Sequence, residues 1–232
     1  MEMRWWEILV DLQTNMITDE QVLDIVSKEI KTKTLGVTEQ LLEIHSPIYI
    51  DGEIKIDRID REMGGDYLVA YLPVLNERFY FGVSINISTK EVHGFYTEAG
   101  INVYFMASSE EFSKLNLKEM TNLIPTESWN KGDISPYNLK YNYKNSAILF
   151  KPNPEPDDLE DKLRKLLDFL EQDKNSILEL VDKANGYIQI AMYIHNGNNC
   201  IGGISIGQDS IRRMSELNLS IDFDLYIRHY IE

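Results

Sequence analysis

Apolar residues recur along this chain at two periods, and the period sorts its segments into helices and strands. Val22, Ile25, Val26 and Ile30 fall three or four residues apart, on one face of a helix. Thr18, with Gln21 three residues on, is a capping-box pair that predicts where this helix starts. Ahead of it, Trp5 to Leu12 reads as a strand. From Ile48 the period becomes two: Ile48, Ile50, Ile54 and Ile56 stand among polar residues. Asp51-Gly52 between them is the dipeptide that a two-residue hairpin turn requires. Further strands are predicted at Tyr67–Leu75, Phe79–Ile87 and Glu91–Thr97, with turns at Asn76-Glu77 and Ser88-Thr89-Lys90. Residues 1–100 read as a strand, a helix and an antiparallel meander.

After residue 100 the two periods interleave. A strand at Asn102–Met106 leads to a short helix, Asn116–Leu123, stopped by Pro125, and then to a strand at Asn142–Lys151. Pro-Asn-Pro-Glu-Pro at 152–156 breaks the chain. Asp157 is placed to cap the next helix, with Glu160 as its capping-box partner. Leu159, Leu163, Leu166, Leu167 and Leu170 stripe that helix, and Ile177–Val181 continue as a second helical piece. Tyr187–Ile194 reads as a central strand. Ser210–Leu217 reads as a helix with Ile211, Met214 and Leu217 on one face. The last strand alternates cleanly: Leu219, Ile221, Phe223, Leu225 and Ile227 against Ser220, Asp222, Asp224 and Tyr226. The expected fold is α+β, with mixed, mainly antiparallel sheets and helices packed on them. It is expected in two sheet-containing halves, 1–100 and 101–232, meeting near Thr97–Gly100.

Composition narrows the function more than the fold. The 232 residues are 43% apolar and 26% charged, enough to fill a core without disulfide or metal staples. Acidic residues outnumber basic ones 38 to 23, a net charge of −15. Residues 1–100 carry 9 basic and 18 acidic side chains and the rest 14 and 20, so the charge is no detachable tail. Such a balance disfavours nucleic acid and anionic membranes, both of which need clustered cations. Glu2, Glu7 and Asp11 interrupt any signal-peptide core, and no apolar run approaches the roughly 20 residues of a spanning helix. A single cysteine, Cys200, rules out an intramolecular disulfide and suits a reducing compartment. A cytoplasmic location is expected.

Candidate chemistry is sparse. Asp222 and Asp224 share one strand face about 6.6 Å apart. They suit acid/base work or a hard cation, or else a solvated face that guards a sheet edge. Trp129-Asn-Lys131-Gly132-Asp133 reads as a rigid loop, with Trp129 either its anchor or an aromatic contact for a partner. Gly202-Gly203-Ile-Ser-Ile-Gly207 lacks the Gly-Lys-Ser/Thr ending of a phosphate loop. His45, His93, His195 and His229 show no metal spacing. A His195–Cys200 dyad is set against a turn-forming Asn-Gly-Asn-Asn between them and the ordinary role of a lone cysteine as a small hydrophobe. No nucleophile elbow, zinc-protease pair or dinucleotide fingerprint occurs, so no catalytic residue, cofactor or metal is expected. The aromatic residues include 13 tyrosines. With Trp5, Trp6, Tyr67, Tyr71, Phe79, Tyr80 and Phe81 concentrated in strands, alternation turns some rings away from the core unless both sheet faces are covered. Tyrosines exposed in an acidic field suit protein binding.

The order of features after residue 101 resembles a known family. Pro125-Thr126 followed by Trp129-Asn-Lys131-Gly132-Asp133, the leucine-striped helix, and Leu219-Ser-Ile221-Asp222-Phe-Asp224-Leu-Tyr226 occur in the order seen in the bacterial domain-of-unknown-function family numbered 4279. The resemblance covers about residues 101–232, and residues 1–100 resemble no family. It implies a bacterial protein without an established activity, in a family with some members read as immunity-type proteins beside toxins.

The expected function is a non-catalytic protein-binding module, most sharply an immunity protein that neutralises a basic toxin. Trp129, Lys131, Asp133, Asp222, Asp224 and Tyr226 are its candidate contacts. The alternatives are a small-ligand binder or enzyme with an acidic site between the halves, built from Asp222, Asp224, Lys131 and Asp133, and a structural part of a homo-oligomer.

Overall fold

The computed structural model describes residues 17–62, 64–195 and 204–227. The strand expected at Trp5–Leu12, with Cys200, Gly202, Gly203 and His229, lies outside them. The chain divides into two compact units, Met1–Gly100 and Ile101–Glu232.

In the first unit, helix α1 (Asp19–Thr32) starts where its capping box predicts. The Thr18 hydroxyl accepts from the Gln21 amide, and the Gln21 side chain accepts from the Thr18 amide. Helix α2 (Gly36–Ile44) was not foreseen, because its N-cap position, Leu35, carries no capping side chain. The cap comes from α1 instead. The buried Glu29 carboxylate accepts from the Thr34 and Leu35 amides and from the Thr34 and Thr38 hydroxyls. Asp51 and Gly52, both at positive φ, turn the hairpin of β1 (Tyr49–Ile50) and β2 (Glu53–Ile54) as the dipeptide predicts.

An antiparallel meander follows: β3 (Arg58–Asp60), β4 (Tyr67–Pro73), β5 (Tyr80–Asn86) and β6 (Glu91–Glu98), in that spatial order. Strand β3 is an addition to the sequence reading. Alternation sorts the rings. Phe81 and Phe95 join Leu68, Leu72, Val83 and Ile85 in the core with Val22 and Val26 of α1. Tyr67, Tyr71, Tyr80 and Tyr96 take the opposite face. There the Tyr96 ring lies over Gly82, its cross-strand partner, where an added Cβ would stand 2.5 Å from the ring.

In the second unit a five-stranded sheet runs in the order β13-β12-β7-β11-β8. Its members are β7 (Gly100–Ser109), β8 (Glu127–Trp129), β11 (Ser146–Phe150), β12 (Tyr187–Ile194) and β13 (Ile221–Ile227). Strand β12 is internal, as its apolar run predicts, and β13 lies parallel to it at one edge. Parallel neighbours need a crossover, which carries α6 (Gln208–Glu216). Phe105 and Phe150 face the helical side, with Phe150 meeting Phe169 of α4 (Leu159–Leu170) at 5.8 Å. The leucine stripe of α4 is buried, as are Ile177 and Leu180 of α5 (Lys174–Ala184).

Four local readings are corrected. Helix α3 spans Lys114–Glu119 and is capped by a Ser113–Asn116 box, ahead of the predicted Asn116. The strand expected at Asn142–Lys151 is shorter: β11 runs Ser146–Phe150, while Asn142 ends β10 (Asn138–Asn142), which forms a hairpin with β9 (Ile134–Ser135). Asp158, rather than Asp157, caps α4 by accepting from the Asp161 amide at 2.8 Å. Asp157 is buried against Lys165 and Asn153. On α6, Ile211 is 54% exposed while Arg213 is buried. The Arg213 guanidinium bridges Glu171 through two hydrogen bonds and reaches Asp168 through a third.

Candidate functional site

The face of the five-stranded sheet opposite Phe105 and Phe150 gathers tyrosines and carboxylates. Alternation and register put Tyr104 of β7, Tyr187, Gln189 and Tyr193 of β12, and Asp222, Asp224 and Tyr226 of β13 on it together. The parallel register sets Gln189 beside Asp222, Ala191 beside Asp224 and Tyr193 beside Tyr226. The last pair is stacked, with centroids 4.9 Å apart and planes 12° from parallel. The Tyr226 hydroxyl donates to Asp224 Oδ2 at 3.3 Å, and Asp222 Oδ1 accepts from the Phe223 amide at 3.0 Å.

Electrostatics mark the same cluster. Burial, then the neighbouring Tyr187, Asp224, Tyr226 and Tyr193, push the Tyr104 phenol up to about 12. Tyr187 is raised by burial and by Asp222 and Asp224. Asp222, Asp224 and Tyr226 themselves are exposed. Among the described residues no ion pair involves either aspartate. Lys151, on the β11 side of this face, donates to Asn102.

The Trp129–Asp133 loop is built differently. Gly132, at φ 89°, makes the turn that brings the Asp133 amide to the Asn130 carbonyl. Asp133 Oδ2 accepts from the Asn130 amide at 2.7 Å, and the Gly132 and Tyr143 amides bond across the loop. Trp129 stacks on Tyr143 with centroids 4.5 Å apart. Lys131 holds Glu110 at 3.2 Å beside an open polar depression of about 680 Å³ that also includes Ser108, Asn145 and Lys183. The motif therefore folds its own loop and anchors it by the indole.

These two groups of candidate residues stand apart. Asp222 and Asp224 lie on one edge strand, and Trp129 ends the other, four strand spacings or about 19 Å across the sheet. Asp222, Asp224 and Tyr226 are brought together; Lys131 and Asp133 do not join them. Tyr104, Tyr187 and Tyr193 are additions to the sequence reading. Their signal was parity: Tyr187 and Tyr193 fall on the same alternate positions as Gln189 in a segment read only as apolar, and Tyr104 lies inside another strand.

The remaining candidates have structural partners. His45 packs edge-on to Phe79 at 5.1 Å, and His93 lies 4.8 Å from Tyr67. Asp157, Asp158 and Asp161 approach closely enough to hold a cation. Asp158 is engaged as a helix cap, and Asp157 pairs with Lys165. Among the described residues no helix is long and apolar enough to cross a membrane.

No curated protein and no solved structure matches the chain. A family profile, described as a domain of unknown function, DUF4279, matches residues 98–228. That span exceeds half of the chain and takes in both the Trp129–Asp133 loop and the closing Asp222–Tyr226 strand, so the chain belongs to the DUF4279 family.

Proposed function

We propose that this chain is a non-catalytic protein-binding module whose partner is basic, and that it works as an immunity-type protein neutralising a cationic toxin in the cytoplasm. The observation that carries the reading is the exposed edge of the tyrosine–aspartate face, formed by Asp222, Asp224 and Tyr226. Tyr226 gives a partner rigid contact area, and Asp222 and Asp224, which form no ion pair among the described residues, favour a cationic one. The net charge of −15 adds long-range attraction for such a partner. A small-ligand site combining Asp222 and Asp224 with Lys131 and Asp133 gains no support from residues at opposite edges of a sheet.

The test is capture by the immobilised full chain from a bacterial lysate, with mass spectrometry of what is held. Recovery of one basic protein, in a complex whose on-rate falls with salt, supports the reading. Recovery of no basic protein at low salt overturns it.

A further inference from the structure

We propose that β13 is a docking edge, and that its occupant is an extended segment of a basic partner protein carrying arginines at alternate positions. This deepens the protein-binding reading and rests on it.

Strand β13 is outermost in its sheet, and among the described residues β12 is the one strand paired with it. An outer edge presents backbone N–H and C=O groups that an added strand can bond. Asp222, Asp224 and Tyr226 occur every second residue on the open face, about 6.6 Å apart. That is also the spacing of alternate side chains in a strand laid alongside, so each opposes one residue of the newcomer. Alternating with them, Leu225 and Ile227 are 52% and 48% exposed on the other face and favour apolar residues at the intervening positions.

Charge then selects the occupant. A second copy of β13 would bring its own aspartates onto the same face, which opposes self-pairing. Arginine answers the site twice. Its guanidinium forks onto a carboxylate and stacks flat on a phenol ring, and Tyr226, already stacked on Tyr193, is 46% exposed. The opposite edge is blunted by comparison. There Trp129 is covered by Tyr143, and Glu127 accepts from the Tyr137 hydroxyl.

The probes are three fluorescent peptides: one alternating arginine and valine, one of the same composition with its arginines contiguous, and one with glutamate for arginine. Each is titrated into the full chain by anisotropy, with amide hydrogen exchange read on Ile221–Ile227. The alternating peptide is expected to bind and to slow exchange along β13. Asp222→Asn with Asp224→Asn is expected to weaken it at least tenfold, and Tyr226→Ala severalfold, with circular dichroism unchanged because these side chains are exposed. No binding, equal binding of the contiguous peptide, unaltered affinity of the double variant, or unslowed exchange on β13 would each overturn the proposal. The two readings fail separately. A basic protein captured equally by wild type and the double variant removes this edge but keeps the module. Peptide binding on β13 with no basic protein captured keeps the edge and removes the immunity reading.

Discussion

Glu29 is a buried carboxylate whose partners lie at the start of the next helix and just ahead of it, and that makes it a stability determinant. Burial alone would raise its pKa. The hydrogen bonds from Thr34, Thr38 and Leu35 outweigh burial and hold it below the ordinary value of 4.5. A carboxylate with a depressed folded pKa contributes stability that is full above its unfolded value and lost as pH falls through the folded one. Glu29→Ala leaves the buried Thr38 hydroxyl and the Thr34 and Leu35 amides without this acceptor and is expected to cost about 1–3 kcal/mol in urea unfolding at neutral pH. In Glu29→Gln the loss of stability below pH 4.5 becomes shallower than in the parent chain. The tyrosines supply the opposite limb. Tyr96 and Tyr104 are each pushed up to about 12 and Tyr71 is raised further, all chiefly by burial. The folded state then holds protons that the unfolded chain releases from about pH 10 upward. The thermal midpoint is expected to fall steadily from pH 10 to 12, with tyrosinate absorbance rising later in the folded than in the urea-unfolded protein.

Between elements, caps cross long stretches of sequence. Glu160, expected from the sequence to close a capping box with Asp157, instead turns its carboxylate to the start of α6. It accepts from the Gly207 amide at 3.0 Å and the Ser210 hydroxyl at 2.6 Å. Gly207, the N-cap residue, has no side chain to cap the helix, so the acceptor for this end comes from α4. Glu160→Ala is expected to cost about 0.5–2 kcal/mol, the usual range for losing an N-cap. It should also raise hydrogen exchange in the first turn of α6 ahead of α4; equal loosening of both helices would show that Glu160 serves α4. The local box at Thr18–Gln21 was legible because its donors and acceptors lie within four residues. The caps from Glu29 and Glu160 were not, since no spacing rule links them to the helices they close. Arg213 was hidden for the same reason. Helical spacing offered Ile211 to the core, and the carboxylates of Glu171 and Asp168 decided which side of α6 turns inward.

Across the molecule, the surplus of carboxylates and the open face act at different ranges. Screening over about 10 Å at 0.1 M salt weakens the long-range field but not contacts already formed. A complex with the proposed basic partner is therefore expected to lose at least tenfold in on-rate between about 50 and 500 mM salt, with a smaller change in off-rate, measured by stopped flow. An off-rate carrying most of the change would assign the charge to the contact itself. The sequence by itself determined the α+β class, most strands and helices, the leucine stripe and the common face of Asp222, Asp224 and Tyr226, because these follow from periods of 2 and 3.6 and from turns closed within a few residues. Tertiary structure alone decided that β13 is an edge, that Tyr104, Tyr187 and Tyr193 surround its aspartates, and that the Trp129–Asp133 loop stands across the sheet from them. Strand order and long-range capping depend on which segments meet after the core closes, and no local period encodes that.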